Sequence, residues 1–228
     1  MAELDGARFL IAGASGGLGA PIASRLAAAG AELTLVARDR SRLEAIPVAG
    51  RRLALDLRDP EACAEATAAA ASTGPLAGVV NAVGVVAFGT VDELAPDVME
   101  ELFLTNTFVP IMLSRAALPH FGDEGGVIVN LAGIVAEQSF PGMAAYAASK
   151  AAVRAFDAGL AAEVRRRRIR IVNARPPHTE TGLADRPIAG RAPRFPTGLA
   201  PDAVADRIVA AIVDDERDLP STAFGGAA

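Results

Sequence analysis

The chain has 228 residues, 51% hydrophobic but only 4% aromatic, with a formal net charge of −5. That length suits one domain with a sizeable core, and the acidic balance gives no electrostatic reason to expect a nucleic-acid partner. A lone Cys63 excludes a disulfide framework and fits a reducing cytoplasm, and no metal site is expected.

The first residues, MAELDGARFL, are acidic where a secretory signal would be basic. No uncharged apolar stretch approaches the roughly 18 residues of a membrane helix. The expectation is a soluble, cytoplasmic protein with no membrane or nucleic-acid partner.

In chain order, near-continuous apolar runs at 7–14 (ARFLIAGA), 32–38, 51–57, 77–84, 125–133 and 168–176 read as strands covered on both faces. Alanine-rich stretches at 18–29, 59–72, 95–120, 144–167 and 201–214 read as helices. Alternation of the two predicts a doubly wound parallel sheet with helices on both faces, in the Rossmann manner, over a single domain 1–228. The Pro- and Gly-rich region, about 177–200, reads as a long loop over one end of the sheet, and after residue 214 there is room for one brief strand.

The first strand runs into AGASGGLG, which places Gly13, Gly17 and Gly19 at the turn into the first helix. Such a turn lets backbone approach a phosphate, and the helix behind it offers free N–H groups to the anion. Ser15 and Leu18 of the same turn join the expected dinucleotide site. At the end of the second strand stand Arg38, Asp39 and Arg40. An arginine there accommodates a 2′-phosphate and an acid binds a free ribose, so NADP(H) is favoured over NAD(H), with Asp39 keeping the latter open. Asp56, beside Leu57 at the end of the third strand, reads as either an adenine contact or a helix-capping aspartate.

YAASK, residues 146–150, holds the only tyrosine and the only lysine of the chain; every other strongly basic side chain is an arginine. Together with GASGGLG, NAVG (81–84) and Asn106, it makes the sequence resemble the short-chain dehydrogenases/reductases over almost its whole length. The Gly spacing looks like the TGxxxGxG type. The resemblance implies that Tyr146 exchanges a proton with the substrate oxygen as hydride moves to or from the nicotinamide. Lys150, one helical turn on, would favour phenolate and hold the ribose, and Asn106 would keep the water that links Lys150 to solvent. Asn81, with Ala82 and Val83, would lie beside the cofactor, as would Pro176 and Thr179, with Thr181 as the other candidate threonine. It further implies a small-molecule substrate, and dimers or tetramers built on the helices around 95–120 and 144–167.

The pattern departs from the family at one place. Thirteen residues before Tyr146, where the family has a serine that hydrogen-bonds the substrate oxygen, stands Gly133, preceded by Ala132. Loss of one preorganised donor costs about 3–4 kcal/mol, or a factor of roughly 10²–10³. Three readings stay open: Ser139 or Gln138 replaces the donor, the substrate is activated enough to need little help, or the chain binds cofactor without turnover, as a sensor or accessory protein. His178 is a candidate substrate donor or a loop histidine without a role. Arg186, Arg191 and Arg194 of the loop, with Arg175 before it, raise the expectation of an acidic or polar substrate. The run RRRR at 165–168 reads as a solvated helix end.

Overall fold

In the computed structural model, which describes residues 4–225, the expected sheet is present. Six parallel strands, β1 (Arg8–Ala12), β2 (Glu32–Ala37), β3 (Arg51–Ala54), β4 (Gly78–Asn81), β5 (Gly126–Leu131) and β6 (Ile169–Ala174), lie in the order β3-β2-β1-β4-β5-β6. Their inner residues, Leu10, Ile11, Val79, Val80, Ile128 and Val129 among them, are wholly buried. That is what near-continuous apolar strands demand, since each face must be covered. Helices α1 (Gly19–Ala28) and α7 (Pro201–Val213) cover one face. The other is covered by α3 (Pro60–Ala70), α5 (Val109–Ala117) and α6 (Ala144–Val164).

The order reverses between β1 and β4. There the connections leaving two neighbouring strands diverge to opposite faces and open a crevice at their carboxyl ends, where ligands of such sheets bind. Gly13, at the end of β1, has φ +75°, and a Cβ on it would come within 2.8 Å of the Ala82 carbonyl carbon after β4. The two connections therefore touch backbone to backbone at the switch point.

Three elements differ from expectation. A five-residue helix, α2 (Arg40–Glu44), follows β2, too short to leave an apolar period in the sequence. The brief C-terminal strand is a single bridge, Ala174 to Leu219, followed by a 3₁₀ turn over Ser221–Phe224. The helix expected over 95–120 is a continuous helical run with a break of pitch. Helix α4 (Pro96–Phe103) passes through a π-helical turn, Leu104–Phe108, into α5, and the run closes in a 3₁₀ turn ending at His120. Pro110 accounts for the break, because it withholds the N–H that α geometry would bring to the carbonyl four residues back, and that carbonyl belongs to Asn106. Pro96–His120 is long and apolar enough to cross a membrane, but half of its apolar window is buried in this fold.

Candidate active site

The glycine turn builds a cradle. A Cβ on Gly17 would lie 2.5 Å from Thr181 Cβ, so the loop after β6 is pressed onto the turn. Leu18 is the N-cap residue of α1, which starts with no side-chain cap and no acid in its first turn. By contrast, α2 and α3 are capped by the carboxylates of Asp39 and Asp59. Ala20 donates to the Gly16 carbonyl at 3.1 Å and Pro21 has no N–H, so the Leu18 and Gly19 amides are the ones at the head of α1 left for an anion, at the positive end of the helix dipole.

The residues beyond β2 bear on which dinucleotide fits. Asp39 accepts from the Arg42 amide at 3.1 Å and from Ser41 Oγ at 2.8 Å. These bonds hold its carboxyl below the usual range. The Arg42 guanidinium donates to the Ser15 carbonyl at 2.8 Å, which ties a cation to the glycine turn, and Arg38, following β2, is exposed. Arg42 carries no signal of its own in the sequence; its place one helical turn beyond Asp39 becomes informative only once α2 is seen. Asp56 is gripped by Arg58, whose other edge grips Glu101 of α4. Hydrogen bonding from Arg58 is the main reason the Asp56 carboxyl titrates low. Leu57 is buried beside it, its carbonyl accepting from Cys63 Sγ.

On the far side of the switch point, Tyr146 and Lys150 share one face of α6 and are both buried. Lys150 Nζ donates to the Leu131 carbonyl at 2.9 Å. A Cβ on Gly84 would lie 3.2 Å from Lys150 Nζ and 3.3 Å from Asn106 Oδ1, so lysine and asparagine converge over the NAVG turn. Asn106 pairs with the Val85 backbone through both ends of its amide, each bond 2.9 Å, and donates to Ser149 Oγ at 3.1 Å. Ser149 donates in turn to the Tyr146 carbonyl. This serine sits inside YAASK without standing out from its neighbours there, yet it ties the π turn to the Tyr–Lys helix. Asn81 accepts from the Val83 amide and donates to Asn130.

Burial pushes the Tyr146 phenol up to about 12 and the Lys150 ammonium down to about 8. The lowering of the phenol expected from Lys150 is absent. Desolvation alone governs Tyr146, whose hydroxyl makes no hydrogen bond among the described residues. At neutral pH the pair therefore stands as a protonated phenol beside a largely protonated amine.

Gly133 follows β5 with φ +87° and ψ +164°, a region that essentially only glycine occupies. The space around it is open: the nearest atom to a Cβ placed there would be the Pro176 carbonyl oxygen, at 3.8 Å. Ser139 and Gln138 are exposed and make no side-chain hydrogen bond among the described residues, so neither reaches inward to replace a donor. His178 is spent within the loop: it stacks on Phe195 at 4.6 Å, and its Nε2 lies 3.5 Å from Glu180. Pro176 is buried, with its carbonyl bonded to the Ile134 amide. Thr179 donates to the Pro177 carbonyl, and Thr181 is the threonine brought against the glycine turn.

The loop faces the site with apolar residues. Leu183, Ala184 and Phe195 pack against the cluster containing Phe88, Met143 and Tyr146, and the loop is stitched to the 86–88 segment through Ile188 and Ala189. Arg186, Arg191 and Arg194 are exposed, and Arg175 is committed to Glu137 and Asp218. The expectation of an acidic substrate thereby loses Arg175 as a support.

Residues 8–190 match the family model for short chain dehydrogenases. An uncharacterized oxidoreductase of Methylorubrum extorquens is 30% identical, covering 95% of this chain and 94% of its own length. Gluconate 5-dehydrogenase of Gluconobacter oxydans is 30% identical over 82% of this chain and 77% of its own. Among solved structures, a short chain dehydrogenase from Burkholderia cenocepacia in complex with NADP is 29% identical. It superposes with a TM-score of 0.83 over 97% of this chain and 99% of that one. Matched along most of its length by sequence and by structure, this chain belongs to the short-chain dehydrogenase/reductase family and is an oxidoreductase of that family.

Proposed function

We propose that the chain is an NADP(H)-dependent reductase that interconverts a carbonyl, or a similarly polarised double bond, with its reduced form. The observation that carries this reading is the convergence of Lys150 and Asn106 over the NAVG turn, with Tyr146 on the same face of α6, in a chain whose glycine turn leads into a helix, α1, without a side-chain cap. A bound nicotinamide supplies the hydride. Tyr146, protonated at neutral pH, gives its proton to the substrate oxygen. Lys150 holds the ribose and recharges the phenol, and Asn106 fixes the NAVG turn beside them.

NADP(H) is preferred because Arg38 follows β2 and Arg42 bonds the glycine turn, two cations suited to a 2′-phosphate, while Asp39 is occupied as a helix cap. The solved relative that holds NADP is consistent with this. The apolar inner face of the loop favours a substrate with an apolar body, and self-association through the face carrying the exposed Leu104 and Phe108 belongs to the same reading. Titration of NADPH and NADH by nicotinamide fluorescence, then NADPH consumption with ketones, aldehydes, quinones and cyclic imines, tests it. Turnover with any of these, faster with NADPH, is the expected result.

A second reading, a cofactor-binding protein without turnover, is favoured by Gly133, which lacks the usual serine hydroxyl and has a backbone conformation that would strain a serine. NADPH binding with silence across the whole panel would select it.

A further inference from the structure

One buried carboxylate is not used in this scheme. Asp157 lies on α6 in line with Val153, Leu160 and Val164, all buried and apolar. An apolar residue there would pack the helix on the sheet, whereas a carboxyl carries a desolvation cost. Burial pushes the Asp157 carboxyl up to about 7, opposed by hydrogen bonds from Asn173 and Asn130 and by the charge of Arg175.

The hydrogen-bond directions around it are all inward. Asn130 Nδ2 donates to Asp157 Oδ1, and Asn173 Nδ2 to Oδ2, each at 2.6 Å. Behind Asn130, Asn81 Nδ2 donates to Asn130 Oδ1 at 3.4 Å, and the Val83 amide donates to Asn81 Oδ1 at 3.2 Å. Behind Asn173, Arg175 donates to Asn173 Oδ1 at 3.0 Å and to Glu137 and Asp218, while Ser221 donates to Glu137. Two donor chains thus end on one carboxylate. The first begins at the NAVG turn on the cofactor side; the second begins at Arg175, which also holds Glu137 of the turn that follows Gly133 on the substrate side.

We propose that Asp157 is a positioning residue that locks the cofactor-side turn, 81–85, and the substrate-side turn, 133–138, to a common anchor under the sheet. Only an acceptor with two oxygens closes both chains. An amide at 157 accepts through one oxygen and presents N–H to a neighbour that is itself a donor. One chain must then reverse or open, and a buried polar group left unmatched destabilises its surroundings. The assignment of the two turns to cofactor and substrate rests on the proposed function, but the anchoring itself does not.

Amide hydrogen exchange, read by mass spectrometry on the intact chain, tests this without any turnover. In Asp157→Asn, exchange in peptides covering 81–86, 133–139 and 218–221 should rise about tenfold, as expected from loss of roughly one buried hydrogen bond, while α1 and α7 keep their protection. Asn130→Ser should loosen 81–86 alone, and Asn173→Ser should loosen 133–139 and 218–221 alone. These two variants keep the test open should Asp157→Asn fail to fold. Unchanged protection in both turns, or an equal loss over the whole sheet, would overturn the proposal. Because activity is not measured, its failure is separate from a failure of the reductase reading.

Discussion

Lys150 Nζ is fastened to the Leu131 carbonyl at 2.9 Å, so the only lysine of the chain bonds the last residue of β5, two residues before Gly133. Both atoms belong to segments whose course the sheet dictates, which sets the ammonium over the crevice before any ligand arrives. Its burial is costly, and a wide planar guanidinium would not fit the same bond. That is a physical reason for one lysine to persist in a chain whose other strong bases are all arginine.

Lys150→Met should therefore stabilise the fold while abolishing NADPH-dependent turnover. The ammonium falls from its ordinary 10.5 to about 8 in the folded chain, so the charge is disfavoured by folding. Removing it gains stability at pH 7, offset by the unmet Leu131 carbonyl, with a net of about 1 kcal/mol or about 3 °C in melting temperature. The sign with pH follows: above about 8 the folded chain sheds the proton that the unfolded chain retains up to 10.5. The wild type thus gains stability over that window and the gap to the variant closes. Thermal melts of both proteins between pH 7 and 10 check this. A variant less stable than wild type at pH 7 would be evidence against it.

Gly133→Ser should not restore a better site. With φ at +87°, any side chain is strained by about 1–3 kcal/mol even though the space is open. Lower denaturation midpoints and no gain in rate are expected. A rate gain of tenfold or more at unchanged stability would show that the backbone readily adopts the conformation of a serine.

Asp39→Ala separates a cap from a ribose ligand. Loss of its bond to the Arg42 amide should lower the melting temperature slightly, with NADH affinity unchanged. Fluorescence titration showing a marked loss of NADH binding would return Asp39 to the ribose.

Arg38→Ala and Arg42→Ala should each weaken NADPH by about tenfold, the value of a charge-assisted hydrogen bond, and leave NADH as it was. Equal losses for both coenzymes would place the arginines away from the 2′-phosphate.

Much of the scaffold is readable because strands covered on both faces keep apolar runs, and because Gly13 and Gly17 stand where side chains would collide with Ala82 and Thr181. The π turn is legible in principle, since Pro110 lies four residues after Asn106. Other features depend on contacts that no local pattern carries. Arg175 reads as a substrate contact from its place before the loop, but its partners Glu137 and Asp218 are 38 and 43 residues away. Asp157 reads as one polar residue in a helix until β5 and β6 bring Asn130 and Asn173 to it. The conformation of Gly133 is likewise a property of the assembled site: the sequence shows a missing hydroxyl, and only the backbone shows that a hydroxyl there would be strained.

Tyr146 as the proton donor can be examined by following NADPH consumption for the wild type and Tyr146→Phe with the best substrate of the carbonyl panel, alongside NADPH affinity. Loss of the phenol hydroxyl should lower kcat by at least about 10²-fold, within the range for general acid–base catalysis, with NADPH binding intact. Turnover by Tyr146→Phe within a few-fold of wild type would contradict the role given to Tyr146 and, with it, the proposed mechanism.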